Sequence, residues 1–216
     1  MNNKKFVISF SGGKDSMLAL HRMIKNGYTP VALLTTVKKN EGESWTHGIN
    51  LDFLNRVSKS LGIDLITVEC GVSEYESEFE RKLLEAKEKG ATICVYGDID
   101  IEHHRQWGVD RCNSVNMNAE FPLWQENRED LVYEFIDNGY KAIIKTINLN
   151  NLGEEFLGEI LTKDLIQKIK ETGSDACGEN GEYHTFVSDG PLFKIPINFE
   201  IESKILDENY GRLNIK

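Results

Sequence analysis

The chain predicts an α/β fold: a parallel sheet covered on both faces by helices, followed by a smaller C-terminal α+β subdomain. Three observations carry this expectation. In the first half, short apolar runs alternate with helical patterns, as expected for strands buried on both faces. The run FVISF (Phe6–Phe10) passes directly into SGGKDS and then into a helical pattern, so a glycine-rich turn joins a strand to a helix start. Beyond about residue 124 the pattern shifts to isolated helices, one apolar strand and a loop-rich stretch.

The elements follow in order. Lys5–Phe10 is a strand, and Ser16–Asn26 a helix stopped by Gly27. Pro30–Val37 is the second strand; Leu51, Leu54, Val57 and Leu61 mark the apolar stripe of a helix ended by Gly62. Asp64–Cys70 is the third strand. Ser73 and Glu76 have the spacing of a capping box for a long charged helix that ends at Gly90. Ala91–Tyr96 is the fourth strand and enters GDI, Gly97–Ile99. A helix over Arg128–Asn138 leads to an apolar strand at Ala142–Ile147. A short helix spans Thr162–Thr172, capped by Thr162. The loop SDACGENGEYHTFVSDGPLF follows, and alternating strand-like runs occupy Ile195–Ile205. The boundary is expected near Phe121–Asn127, dividing residues 1–124 from 125–216. No repeat or low-complexity segment is present.

With 216 residues the chain can bury a sizeable core. Its 28% charged and 40% hydrophobic content is that of an ordinary globular protein. The net charge of −10 argues against a broad DNA-binding or RNA-binding surface, which needs clustered Lys and Arg. The apolar stretch before Ser11 is too short for a signal peptide or a membrane span, which predicts a cytoplasmic protein. Four cysteines (Cys70, Cys94, Cys112, Cys177) form no C-x-x-C pair, so neither a zinc cage nor a disulfide framework is expected. Cys70 and Cys94 close apolar runs as core residues, while Cys112 and Cys177 lie in polar surroundings and stay open.

SGGKDS carries the first chemistry. A glycine turn at a helix start exposes backbone N–H groups at the positive end of the helix dipole, an anion site. Ser11 and Ser16 add hydroxyls, Lys14 adds a charge, and Gly12 and Gly13 admit a phosphate close to the backbone. A Walker A loop is excluded, because Ile8 stands where its first glycine belongs and Asp15 where its Ser or Thr belongs. G-x-G-x-x-G is absent as well. The plainer alternative is an ordinary capped turn.

SGGKDS resembles the SGG-x-DS signature of the PP-loop ATP pyrophosphatases. That resemblance implies a Rossmann-like domain of the adenine nucleotide alpha hydrolase type, whose loop cradles the pyrophosphate released when ATP adenylates a substrate. Lys14 and the loop amides would stabilise the charge on the leaving group. Asp15 would hold Mg²⁺ or fix the loop; the residues leave both open.

Three further segments narrow the resemblance: GDIDIEHHRQWGVDRCNSVNMNAEFPLW (Gly97–Trp124), CGENGEYHT (Cys177–Thr185) and SDGPLF (Ser188–Phe193). With SGGKDS they look like the diphthine–ammonia ligase family, over nearly the whole chain. The resemblance implies a nucleotide domain of four or five parallel strands and a small C-terminal substrate subdomain. It implies ATP-driven amidation of a carboxylate, by family default diphthine on elongation factor 2, with AMP and pyrophosphate released and free ammonium as nitrogen donor. ATP binding would fall to Ser11, Gly12, Gly13, Lys14, Asp15 and Ser16, with His47 near the adenine side and Gly97 and Asp98 after the fourth strand. Substrate binding would fall to His104 and Arg105 and to Glu179, Asn180, Gly181, Glu182, His184 and Thr185. Lys14, Asp15, Glu179, Glu182 and His184 would be catalytic. The carboxylates suit a cationic head group or the ammonium nucleophile, or one of them acts as base. Taken alone, GENGEYHT also reads as a tight turn entering a strand, with Glu182 and His184 on one face. His103 is expected to be solvated, Cys112 a packed thiol, and Trp107 and Trp124 packing residues. The implied cofactors are ATP and Mg²⁺; the implied partners are ammonium and a carboxylate acceptor, with a homodimer left open. Two alternatives stand beside this: a PP-loop enzyme modifying RNA or a small molecule, and a non-catalytic adenine-nucleotide sensor.

Overall fold

Five parallel strands, β1 (Lys5–Ser9), β2 (Thr29–Lys38), β3 (Asp64–Cys70), β4 (Ile93–Val95) and β5 (Asn118–Glu120), form the first sheet in the order β3-β2-β1-β4-β5. The structure is a computed structural model and describes residues 4–216. Helices α1 (Lys14–Lys25) and α2 (Leu51–Leu61) pack on one face of this sheet, α3 (Tyr75–Glu88) and α4 (Glu102–Ser114) on the other. The α/β architecture expected from the alternating pattern is therefore present, with five parallel strands. None of the helices among the described residues is long and apolar enough to cross a membrane.

The order of strands reverses beside β1: β2 lies on one side of it and β4 on the other. In open α/β sheets such a reversal leaves a crevice at the carboxyl ends of the two central strands. Here the carboxyl end of β1 enters SGGKDS and that of β4 enters GDI. The two loops nearly touch, since a Cβ on Gly97 would lie 2.9 Å from the Asp15 carbonyl carbon and 2.9 Å from the Ser16 nitrogen.

The second half builds α5 (Arg128–Asp137), β6 (Lys141–Asn148), α6 (Lys163–Glu171), β7 (Tyr183–Asp189), β8 (Ile201–Leu206) and β9 (Tyr210–Ile215). Its four strands form an antiparallel sheet in the order β7-β6-β9-β8. One buried cluster runs from Phe6, Ile8 and Met17 to Ile143, Tyr183 and Phe186. Within it the Phe53 and Phe186 rings meet edge-on at 5.6 Å, so the antiparallel sheet lies against the α1 and α2 layer.

Local differences from the sequence expectation have physical causes. Ser73 and Glu76 do not cap α3. A 3₁₀ turn at Val72–Glu74 precedes it, and the Glu74 carboxylate accepts from the Gly71 N–H instead. Residues 195–199 lie outside the sheet; Glu200 and Lys216 exchange backbone hydrogen bonds at its margin, β8 begins at Ile201, and β9 is a strand that alternation did not reveal. α4 was hidden because it buries only Gly108 and Cys112 and so shows no apolar stripe.

Because the atoms facing Gly97 are backbone and cannot turn aside, Gly97→Ala should cost about 1–3 kcal/mol. The drop is measurable as a lower urea midpoint at constant slope.

Candidate active site

The crevice is a cleft of about 310 Å³ at the carboxyl ends of β1, β2 and β4, closed on the remaining side by β7 and the turn before it. Its floor is the SGGKDS loop. Gly12 takes the left-handed conformation (φ 83°) that glycine favours, and the tight spot beyond it is the Ile49 side chain. Gly13 is the N-cap of α1, and a Cβ there would overlap the His47 ring. Ser16 Oγ donates to Gly13 O at 3.0 Å, and Ser11 Oγ accepts from Gly13 N at 3.2 Å. The first helical bond runs from Met17 N to Gly13 O. Among the described residues no protein acceptor meets the Asp15 or Ser16 N–H, which are the orphan donors of a helix start.

β7 is sewn onto this loop. Lys14 N donates to Thr185 Oγ1 at 3.0 Å, His47 Nδ1 donates to Thr185 O at 2.8 Å, and Val187 N donates to Gly12 O at 3.0 Å. The His47 and His184 rings lie 4.9 Å apart. Burial holds both imidazoles in the neutral form, His47 down to about 4 and His184 to about 3; neighbouring Lys14 lowers them further.

Lys14 is only 4% exposed. Burial opposes its charge, but the Asp15 carboxylate, 2.9 Å from Nζ, outweighs that and keeps the ammonium protonated well above the usual lysine range. Its Nζ also lies 5.3 Å above the Tyr183 ring. Cys177 is buried, and its thiol donates to the other Asp15 oxygen at 3.5 Å. Burial pushes this thiol well up, so it stays protonated. Glu179 enters the same cleft. Burial, then the Asp15 carboxylate, push its carboxyl up to about 7. At the rim, Asp98 lies 3.5 Å from His104 Nδ1 and raises that imidazole's pKa.

The cleft thus brings together Ser11, Lys14, Asp15, Ser16, His47, Gly97, Asp98 and His104 with Glu179, His184 and Thr185. Gly12 and Gly13 shape the loop backbone beneath it. Other predicted residues stand elsewhere. Arg105 is off the cleft, ion-paired to Glu102 at 3.1 Å and lying over the Phe121 and Trp124 rings. Glu182 is buried, but its carboxylate turns back on its own loop, accepting from Asp175 N, Asn180 N and Asn180 Nδ2 at 3.1–3.2 Å. Asn180 is exposed, and Gly181 (φ 89°) makes the bend between it and Glu182. Cys112 is buried against the Tyr96 hydroxyl, 3.5 Å from Sγ.

Sequence reasoning missed one wall and one anchor. The wall is Trp45 and Tyr75, whose rings stack at 5.8 Å, with Trp107 continuing the stack at 5.1 Å. Tyr75 opens a helix that otherwise reads as a charged surface, so no pattern flagged it. The anchor is Asp175, whose carboxylate accepts from Cys177 N at 3.1 Å and Glu179 N at 3.0 Å. Its signal was the Asp followed two residues on by a turn, an Asx pattern.

Comparison with known proteins finds matches in both halves of the chain. Residues 4–119 match the diphthamide synthase N-terminal domain, and residues 127–216 match the diphthamide synthase C-terminal domain. A diphthine–ammonia ligase of Mus musculus is 32% identical over 210 residues, covering 85% of this chain and 78% of its own. The Homo sapiens protein of the same name is 31% identical, with the same coverage. A solved chain described as a predicted subunit of tRNA methyltransferase from Methanocaldococcus jannaschii overlays with a TM-score of 0.46 at 17% identity, covering 87% of this chain and 98% of that one. That last likeness is too weak to bear on function. The two domain matches in sequence, and relatives at this identity over most of their length, place the chain in the diphthamide synthase family.

Proposed function

We propose that the protein is an ATP-dependent ligase that adenylates a carboxylate and transfers ammonia to it, releasing AMP and pyrophosphate. The observation that carries this is the meeting of SGGKDS and GENGEYHT in one cleft through Thr185. A carboxylate exchanges poorly with ammonia because its oxygen is a poor leaving group. Attack of that oxygen on the α-phosphorus of ATP breaks the bond to the β-phosphate and forms an acyl adenylate. Ammonia nitrogen then attacks the acyl carbon, the C–O bond to AMP breaks, and nitrogen loses a proton. The name diphthine–ammonia ligase borne by the relatives supports diphthine as the acceptor; elongation factor 2 as its carrier and the cytoplasm as the place are part of the proposal.

Each step has a residue of this chain beside it. The buried, charged Lys14 and the free Asp15 and Ser16 N–H groups suit the negative charge that grows on pyrophosphate as it leaves. Donors fixed in advance do this without reorganising. Glu179, with its carboxyl near 7, suits the base that takes the proton from the attacking nitrogen. The neutral imidazoles of His47 and His184 add no charge beside the phosphates. Glu182 belongs to the frame of the loop rather than to the reacting centre. Mg²⁺ takes one or two carboxylates beside phosphate oxygens, and Asp15 and Asp98, both on the cleft, fit that need. The ion would offset phosphate charge. A sensor without chemistry would have no use for a carboxyl held near 7 beside a charged lysine.

Incubation with ATP, ammonium and candidate carboxylates, including elongation factor carrying diphthine, should yield AMP and pyrophosphate. ADP and inorganic phosphate as products would sink the scheme. Lys14→Ala should lower AMP formation by about 10²–10³-fold, and near-normal turnover would remove Lys14 from the role. In the wild type, kcat should rise with pH through about 7 as Glu179 ionises. Glu179→Gln should abolish that limb and slow amide formation by about 10²–10⁴-fold while leaving ATP binding intact.

A further inference from the structure

Two local rules are broken at the junction between the two sheets. Arg128 is the first residue of α5, where the positive end of the helix dipole disfavours a cation. Three residues earlier, Gln125 adopts φ 59°, a conformation that side-chain-bearing residues seldom take, and its N–H donates to Ile99 O at 2.6 Å. Such departures persist where surrounding structure compensates for them, and they tend to mark functional constraint. Here the compensation is specific. The guanidinium grips both oxygens of Asp100, through Nε at 2.7 Å and Nη2 at 2.6 Å. Its third nitrogen donates to Asp175 Oδ2 at 2.7 Å and to Asn180 Oδ1 at 3.2 Å. Asp100 follows GDI in the nucleotide half, whereas Asp175 and Asn180 belong to the turn that presents Glu179.

We propose that Arg128 is a positioning residue that fastens the Asp175–Glu182 turn to the loop after β4, and so fixes where Glu179 stands in the cleft. The linkage is short. Asp175 Oδ2 accepts from both the Arg128 guanidinium and the Glu179 N–H, so the backbone of Glu179 is two hydrogen bonds from Arg128. Only 12% of the Asp175 side chain and 25% of that of Arg128 are exposed, and a planar bidentate fork in such surroundings is not replaceable by a lysine point charge. The inference rests on the proposed role of Glu179 for its kinetic consequence, but not for its structural one. Glu179 faces Asp15, Lys14, Asp98 and Arg128, with His104 also nearby. Arg128 is therefore one of two cations there, besides any charge on His104.

Hydrogen-exchange mass spectrometry of the whole protein separates the two consequences. In Arg128→Gln, exchange in residues 174–182 should quicken by about 10–10²-fold, the loss expected for hydrogen bonds to a charged group, while α1 and β1 stay protected. Arg128→Lys should fall between that variant and the wild type. If R128Q unfolds globally, R128K decides: faster exchange confined to 174–182 supports the proposal. Wild-type protection of that segment in R128Q, or in R128K where R128Q does not fold, overturns it. Kinetically, R128Q should lower kcat for amide formation by about 10²-fold with unchanged affinity for a non-hydrolysable ATP analogue. Its acid limb should move to higher pH, because a cation that favours ionised Glu179 is gone, whereas R128K should keep the limb in place. An unshifted limb in R128Q, with exchange altered, overturns the link to Glu179 alone. If the wild type forms no AMP with ammonium and any acceptor, the ligase reading fails, and the exchange comparison still tests the clamp.

Discussion

The bond from the Lys14 N–H to the Thr185 hydroxyl is the constraint on which the site depends. It joins residues 171 positions apart, inside the protein, at the start of the helix that would meet phosphate. With the Val187–Gly12 and His47–Thr185 bonds it makes the phosphate loop and the antiparallel sheet one body. Buried hydrogen bonds of this kind each contribute only about 1 kcal/mol net. Their larger effect is geometric: with neither half free to slide, the cleft has one width and one register. The same bond uses up one helix-start donor, which leaves the next two N–H groups for the proposed contact with phosphate.

That closure sets the electrostatics. A lysine with 4% exposure would ordinarily shed its proton. Asp15, its chain neighbour, prevents this, and the pair forms because the helix start points both side chains toward the same space. Asp15 in turn acts on its other neighbours. Together with burial, it pushes up the carboxyl of Glu179 and the thiol of Cys177. The two imidazoles are kept neutral by burial. The cleft therefore holds one ammonium at the phosphate loop and a carboxyl near its ionisation point across from the acidic neighbours. Such separation of titrating groups by environment is what acid–base chemistry at neutral pH requires.

Much of this was legible in the residues and some was not. SGGKDS and GDI could be placed at strand ends because apolar runs lead into them, and the reversal of strand order then makes those ends adjacent. GENGEYHT could be singled out, but not the division of labour inside it. Its two glutamates have the same chemistry and lie three residues apart. Gly181 and the start of β7 turn one back onto the backbone and leave the other in the cleft. Arg105 sat in a motif and still landed on aromatic rings, because α4 directs it along the surface toward Phe121 and Trp124. Arg128 and Asp175 carried no motif, since an arginine at a helix start and an aspartate in a polar loop are common separately.

The sequence by itself determined the class of fold, the phosphate-friendly loop and the membership of the chain in one enzyme family. The first two follow from periodicity and from glycines, serines and a lysine at fixed local spacing; the third rests on the resemblance of SGGKDS, Gly97–Trp124, CGENGEYHT and SDGPLF to that family's motifs. Only the tertiary structure decided which groups face one another: Thr185 under Lys14, Glu179 in the cleft, Glu182 in the frame, Trp45 against Tyr75. The reason is physical. Backbone preference acts over a few residues, whereas burial, which sets charge states and orders side chains, depends on what the far end of the chain brings alongside.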